Sequence, residues 1–257
     1  MALHFLIEDA GSAGPGDVVR LTGAEAHHAA AVRRIRVGEA VTVGDGRGVW
    51  LSGTVSEAAP KEVSVELSGR TSVPPASPRT VLVQALAKGD RDELAVQAAT
   101  ELGVDAITPW QAARSVSRWE GPKVAKGVAR WETIAREAAK QAHRPWLADL
   151  DQPVTTRELA ARARDARMLV LEPTASVALS RIEIDADDAS DVILVVGPEG
   201  GISPEELDLL QAAGATLVRL GDTVLRTLHS GSCCPRGRQC RPRSLVRRPR
   251  PAREGAE

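Results

Sequence analysis

Residues 191–227 read DVILVVGPEGGISPEELDLLQAAGATLVRLGDTVLRT, and they constrain the fold more than any other stretch. Asp191 to Val196 is a continuous apolar, β-branched run, the pattern of a strand covered on both faces. Gly197-Pro198-Glu199-Gly200-Gly201 interrupts it with a turn that carries almost no side chain. Ser203-Pro204-Glu205-Glu206 then opens a helix: Ser203 caps it, Pro204 takes the first helical position and Glu206 closes a capping box. The helix stops near Gly214, Thr216 to Leu220 forms a second strand, and Gly221 begins another loop. Such a strand–loop–helix–strand–loop unit exposes backbone at both strand ends, where open α/β sheets place ligands.

The chemistry of these loops narrows the ligand. The capping box occupies the free N–H groups of the helix, and Glu205 and Glu206 set negative charge where a phosphate would sit. No Lys-Ser/Thr pair follows the glycines and no G-x-G-x-x-G is present, so neither a P-loop nor a dinucleotide fingerprint is predicted. An uncharged or cationic ligand that reads backbone N–H and C=O groups fits better.

The rest of the chain divides in two. Residues 1–70 read as a small β-rich domain, with strands at Asp17–Leu21, Ala40–Gly44, Gly48–Ser56 and Glu62–Leu67. A helix over Ala24–Ile35 carries His27, His28, Arg33 and Arg34, with Arg36 just beyond. Adjacent histidines on a helix face different ways, so no metal site is expected. The basic group of His28, Arg33, Arg34 and Arg36 is the natural contact for RNA phosphates, the alternative being a solvated face. Residues 71–79, TSVPPASPR, have the composition of a linker. From Thr80 strands and helices alternate, as in a parallel sheet: strand Val81–Ala87, helix Glu93–Leu102, strand Asp105–Trp110, helix Lys123–Ala142, helix Thr155–Arg164 capped at or near Thr156, and strand Met168–Leu171. Lys88 and Arg91 follow the first of these strands and Arg114 the second, positions suited to RNA or substrate contact. A guanidinium at Arg114 can grip a phosphate or polarise a uracil carbonyl. Trp131 falls on the apolar stripe of its helix and is expected in the core.

VGPEGGIS followed by LGDTVLRT resembles the two cofactor loops of SPOUT-class methyltransferases, and most of all the RsmE family. KGDRDELAVQAATELGV, the Arg114-Ser115-Val116 segment and GAEAHHAAAVRRIRVGE are similar to further motifs of that family, and the likeness spans residues 1–227. It implies an α/β fold: a SPOUT-type, trefoil-knotted parallel-sheet domain over residues 80–227, preceded by a PUA-like RNA-binding β-barrel over residues 1–70. It further implies methylation of N3 of a uridine in 16S ribosomal RNA with S-adenosylmethionine, without a metal, by a cytoplasmic homodimer. The implied cofactor contacts are Leu171, Glu172 and Pro173, then Val196, Gly197, Pro198, Glu199, Gly200, Gly201 and Ile202, then Leu220, Gly221, Val224, Leu225, Arg226 and Thr227. Arg114 and Glu199 are the catalytic candidates, with Glu199 either a base or a structural carboxylate. Lys88, Arg91, Arg114 and Arg144 join the four residues of the first domain as candidate RNA contacts.

Charge sharpens one boundary. The formal net charge is −1, yet residues 228–257 hold eight Arg, two Glu and no Lys, together with all three cysteines, Cys233, Cys234 and Cys240. The C-C-x5-C spacing is not a zinc pattern. Here the likeness stops, because the family continues into an Ala-rich final helix whereas LHSGSCCPRGRQCRPR is rich in Pro and Gly. Two readings stand: a frameshift after Thr227 that weakens cofactor binding and dimerisation and leaves an RNA-binding protein without catalysis, or a genuine basic tail that adds RNA affinity. No apolar run reaches membrane length.

Overall fold

The computed structural model describes residues 2–184 and 188–221. Those residues form two compact units that are discontinuous in sequence. The first comprises the described residues up to Ala76, Val96–Ala106 and Ala125–Leu150; the second comprises Ser77–Ala95, Ile107–Val124 and the described residues from Asp151 on.

The first unit contains a five-stranded mixed sheet in the order β1-β3-β4-β5-β2. Its strands are β1 (Leu3–Leu6), β2 (Val18–Thr22), β3 (Ala40–Gly44), β4 (Val49–Ala59) and β5 (Glu62–Ser72). β1 runs parallel to β3 and the remaining pairs are antiparallel. The order leaves β1 and β2 at its two edges, a half-barrel of the kind expected for the first domain. Alternation along the long β4–β5 hairpin puts Leu51, Val55, Val63, Val65 and Leu67 on one face. They meet Phe5, Leu21, Val41 and Val43 in a core whose members are almost fully buried, each side chain contributing about 1.5–3 kcal/mol by leaving water. Bulges interrupt the hairpin after Ser52 and Val55. Gly53 sits at the first, where a Cβ would lie 2.5 Å from the Glu66 carbonyl oxygen, so only glycine lets the backbones approach.

The helix expected over 24–35 is shorter and of two kinds. α1 (Gly23–His27) passes into a π-helical turn, His28–Val32, and Arg34 adopts φ +53°. Ala29 in the π turn and Ile35 beyond it are buried in the core, while Arg33, Arg34 and Arg36 are exposed. Strand β1 had no sequence signal, because LHFL shows no alternation and only its pairing with β3 makes it a strand. Its His4 ring stacks on Trp50 at 4.2 Å and donates or accepts at Thr42 Oγ1, 2.9 Å from Nδ1. Burial there pushes the imidazole pKa down to about 4.

Helix α3 (Pro122–Gln141), in the first unit from Ala125 on, buries Val128, Trp131, Ala135, Ala138 and Ala139, so Trp131 is core, as its spacing predicts. Lys140 is buried on the same helix, and its Nζ lies 2.8 Å from Glu25 Oε1 and 3.3 Å from Glu137 Oε1. Two carboxylate partners are what make a buried ammonium tolerable. The two-residue β8 (Asp149–Leu150) completes this unit.

The second unit is a sheet with helices, as the alternating pattern predicts. Its strands are β6 (Thr80–Ala85), β7 (Ala106–Trp110, Ile107 onward in this unit), β9 (Arg167–Leu171), β10 (Val192–Val196) and β11 (Thr216–Val218), in the order β11-β9-β10-β6-β7. The pairs of β10 with β6 and β9, and of β9 with β11, are parallel. The helices are α4 (Thr156–Arg162), α5 (Pro204–Ala212) and the start of α2 (Arg91–Glu101, up to Ala95 in this unit). Thr155, not Thr156, caps α4: its hydroxyl accepts from the Glu158 N–H, and the Glu158 carboxylate accepts from Thr155 in return. The free Thr156 hydroxyl has another use, described below.

Candidate functional site at the strand ends

Strand register builds the site. Leu171 at the end of β9 is the partner of Val196 in β10 and of Val218 in β11, and Val196 is also the partner of Gln84 in β6. Four parallel strands therefore end in one row, and the loops that follow them open at the same edge of the sheet. Those loops start at Glu172, Gly197, Arg219 and Leu86. The Glu172 N–H donates to the Val218 carbonyl at 2.9 Å, which extends the row by one residue.

The glycine loop has the shape its sequence implies. Ser203 accepts from the Glu206 N–H, the Glu206 side chain accepts from the Ser203 N–H, and Pro204 occupies the first turn of α5. Gly201 adopts φ +73°, which an L side chain resists. A Cβ on Gly197 would lie 2.6 Å from Ile202 Cγ1, and one on Gly200 would lie 3.3 Å from Arg114 Cβ. Gly200 and Gly201 are exposed, while Pro198 and Ile202 are buried beneath them.

Glu199 is engaged rather than free. Its Oε1 accepts from the Lys88 backbone N–H at 3.0 Å and from Arg91 Nη1 at 3.1 Å. The carboxylate thereby joins the loop after β6 to the loop after β10. Arg114 lies exposed beyond β7 and donates from Nη1 to the Gly200 carbonyl at 3.3 Å. Sequence-predicted Arg114, Glu199, Lys88 and Arg91 are thus brought together with the glycine loop. Glu172 closes its own turn by accepting from the Thr174 N–H and hydroxyl. Leu220 and Gly221 end the described residues, and Val224, Leu225, Arg226 and Thr227 lie outside them, as does the entire 228–257 tail with its proposed frameshift.

Arg144 is placed differently from the expectation of an RNA contact. In the first unit its Nη1 donates to the carbonyls of Thr100 and Val104, and its Nη2 lies 3.6 Å from Asp105 Oδ1. Desolvation of this half-buried group lowers its pKa. Two carbonyls and a carboxylate thus engage this guanidinium within the first unit, and it is not among the residues gathered at the strand ends.

Three buried groups in the second unit had no sequence signal of their own. Gln84 Oε1 and Ser115 Oγ are buried with no hydrogen-bond partner among the described residues. Gln84 stands in the row of strand ends, and Ser115 directly follows Arg114. Asp92, at the start of α2, accepts from the Ala87 N–H at 3.1 Å and the Glu93 N–H at 2.9 Å. Burial is the larger influence and pushes its pKa up to about 6 despite those bonds. A carboxyl with a raised folded-state pKa holds its proton longer in the native protein than in the unfolded chain. Its stabilising contribution is therefore present below the ordinary carboxylate range and is lost as pH rises to about 6. Asp92→Asn keeps an acceptor for Ala87 and removes the ionisation. Its unfolding free energy relative to wild type is expected to improve by about 1–3 kcal/mol between pH 4 and pH 7, read from urea melts at each pH. A difference that is flat with pH would refute the buried titration.

The residues fit a cationic sulfonium ligand that carries neutral hydrogen-bonding groups. The glycine loop offers bare main chain, with Gly200 and Gly201 exposed and the Glu199 carboxylate already engaged by Lys88 and Arg91. Among the described residues no group of three or more His, Cys, Asp or Glu side chains can hold a metal ion. No helix of the described residues is long and apolar enough to cross a membrane.

Comparison with known proteins agrees with this geometry. A family model described as an RNA methyltransferase domain matches residues 75–229, and one described as an RNA methyltransferase PUA domain matches residues 21–68. The chain is 45% identical over 217 residues to ribosomal RNA small subunit methyltransferase E of Mycobacterium bovis, covering 82% of each. It is 30% identical over 214 residues to the protein of that name in Bacillus subtilis, covering 80% of this chain and 84% of the relative. Among solved structures, a Legionella pneumophila methyltransferase in complex with bound SAM is 29% identical at TM-score 0.78, covering 90% of this chain and 94% of that one. Ribosomal RNA small subunit methyltransferase E of Neisseria gonorrhoeae, bound to S-adenosyl methionine, is 25% identical at TM-score 0.77 with the same coverage. A PUA-like half-barrel, a parallel sheet whose strand ends align on a bare glycine loop, and these likenesses together make the chain a member of the ribosomal RNA small subunit methyltransferase E family, S-adenosylmethionine-dependent rRNA methyltransferases of the SPOUT class.

Proposed function

We propose that this chain transfers a methyl group from S-adenosylmethionine to N3 of a uridine in 16S rRNA. The observation that carries the reading is the alignment of Leu171, Val196 and Val218, which opens the loops at Glu172, Gly197 and Arg219 side by side. Leu171, Glu172 and Pro173, the Val196–Ile202 loop, and Leu220 and Gly221 would hold the cofactor, joined in sequence by Val224, Leu225, Arg226 and Thr227. The bound cofactor supplies an electrophilic methyl group.

The chain's own residues do the rest. Backbone groups of the Gly197–Gly201 loop recognise the ligand without presenting a competing charge, because Glu199 is already neutralised by Arg91. Arg114, exposed beside Gly200, offers guanidinium donors to uracil O2 or O4, where negative charge grows as N3 loses its proton. Glu199, tied to Lys88 and Arg91, serves to hold two loops in register, and its role as base is the weaker of its two readings. Lys88 and Arg91 in the second unit, and His28, Arg33, Arg34 and Arg36 in the first, supply sequence-independent contact to RNA phosphates. The same reading carries the trefoil knot, the homodimer and a cytoplasmic site of action, which rest on the family resemblance.

Labelled methyl transfer to 16S rRNA, free and in assembled small subunits, tests the proposal. The expected product is a uridine methylated at N3 in one position. RNA that is retained but not labelled would replace the proposal with a non-catalytic RNA-binding role, and label on another atom would refute the chemistry.

A further inference from the structure

We infer that Glu206 is a positioning residue that holds the Arg114 loop against the glycine loop. Its sequence context accounts for only half of its bonds. As the closing residue of the α5 capping box it donates its N–H to Ser203 Oγ at 3.3 Å and accepts from the Ser203 N–H through Oε2 at 3.2 Å. Its other oxygen points away from the helix. Oε1 accepts from the Ala113 backbone N–H at 2.9 Å and from the Thr156 hydroxyl at 2.6 Å. Thr156 in turn accepts from Trp110 Nε1 at 3.2 Å, and Trp110 is fully buried at the end of β7.

One carboxylate, 7% exposed, therefore links four pieces of chain. These are the cap beneath the glycine loop, the residue before Arg114, the first turn of α4 and, through Thr156, the last residue of β7. A cap needs none of the contacts on Oε1. Their effect is to fix the backbone at Ala113, and so to fix where the Arg114 side chain starts. Arg114 then stays beside the loop through its bond to the Gly200 carbonyl. Charged acceptors make the stronger hydrogen bonds, and a buried donor left without one is costly.

The two oxygens can be separated by experiment, because each serves different partners. Glu206→Ala removes both. Glu206→Gln keeps a carbonyl oxygen for Ala113 and Thr156 and opposes the Ser203 N–H with an amide donor. Ser203→Ala removes the cap hydroxyl and leaves Oε1 in place. Amide hydrogen exchange at Ala113 is expected to quicken about tenfold or more in Glu206→Ala, as loss of a bond to a charged acceptor implies, and to stay near wild type in Glu206→Gln and Ser203→Ala. Both of those variants are expected to melt earlier than wild type. In the kinetic arm, which rests on the proposed methyl transfer, kcat at saturating cofactor is expected to fall about tenfold to a hundredfold in Glu206→Ala and to be restored in Glu206→Gln.

Unchanged exchange at Ala113 in Glu206→Ala overturns the inference. So does equal loosening of Ala113 in Ser203→Ala, because the effect would then pass through the helix cap. Should Glu206→Ala fail to fold, the same comparison is made between Glu206→Gln and Ser203→Ala. Loss of Ala113 protection in the Gln variant then counts against the inference, and its retention alongside lowered melting supports it. Exchange is read without turnover, so an inactive chain whose Ala113 is loosened by Glu206→Ala would leave the inference standing and count against methyl transfer.

Discussion

Changing Arg114 to Ala is expected to lower the rate of methyl transfer by about 100- to 1,000-fold, the usual loss when one donor to a developing anion is removed. The side chain is exposed, and its one described bond is the 3.3 Å contact to the Gly200 carbonyl, so thermal stability should be nearly unchanged. Cofactor affinity should also hold, because the glycine loop is shaped from beneath by Ile202 and the α5 cap rather than by Arg114. Arg114→Lys keeps the charge but not the planar fork, and should recover only part of the rate. The measurement is single-turnover transfer at saturating cofactor and RNA. An Arg114→Ala enzyme with wild-type turnover and weakened RNA binding would recast Arg114 as a phosphate contact.

The second large effect is expected at Gly197. A Cβ there would sit 2.6 Å from Cγ1 of Ile202, itself only 5% exposed. Neither atom is the far end of a flexible chain, so the loop must shift. Gly197→Val should weaken S-adenosylmethionine binding by about 10- to 100-fold, the equivalent of an overpacking strain of a few kcal/mol, as read by calorimetric titration. Gly200→Ala meets Arg114 Cβ at a gentler 3.3 Å and should be the milder of the two. If the order of severity were reversed, main-chain contact at Gly200 would matter more than the shape of the turn.

Much of this was legible before any coordinates. The buried parallel strands announce themselves as apolar runs, and β6, β9 and β10 lie within a residue or two of where those runs predict. The α5 capping box was visible because its signals lie within four residues. What escaped the sequence was of a different kind. Strand β1 exists only because β3 offers it a parallel edge. The helix after Thr22 turns π at His28–Val32 with Ala29 in the core, a geometry that local propensity does not show. Arg144 follows a helix and looks like a surface cation, but its acceptors at Thr100 and Val104 are about 40 residues away in sequence. Glu206 looked fully used by its cap until Ala113 and Thr156 arrived from elsewhere. Local bonding can be read from spacing, whereas cross-chain bonding of a polar side chain cannot.

The row formed by Leu171, Val196 and Val218 has a further consequence. A strand buried on both faces has little hydrophobic reason to prefer one alignment over its neighbour, because a one-residue slip exposes nothing. Yet such a slip in β10 would carry the glycine turn about 3.3 Å along the strand axis and separate it from its companions. The safeguard must therefore come from polar fasteners at the two ends of that strand. At its start, Asp191 Oδ1 accepts from the Arg79 N–H and the Asp191 carbonyl accepts from Arg167. At its finish, Glu199 reaches Lys88 and Arg91. Loosening either end should leave a molecule that still folds, but whose strand-end bends are out of step.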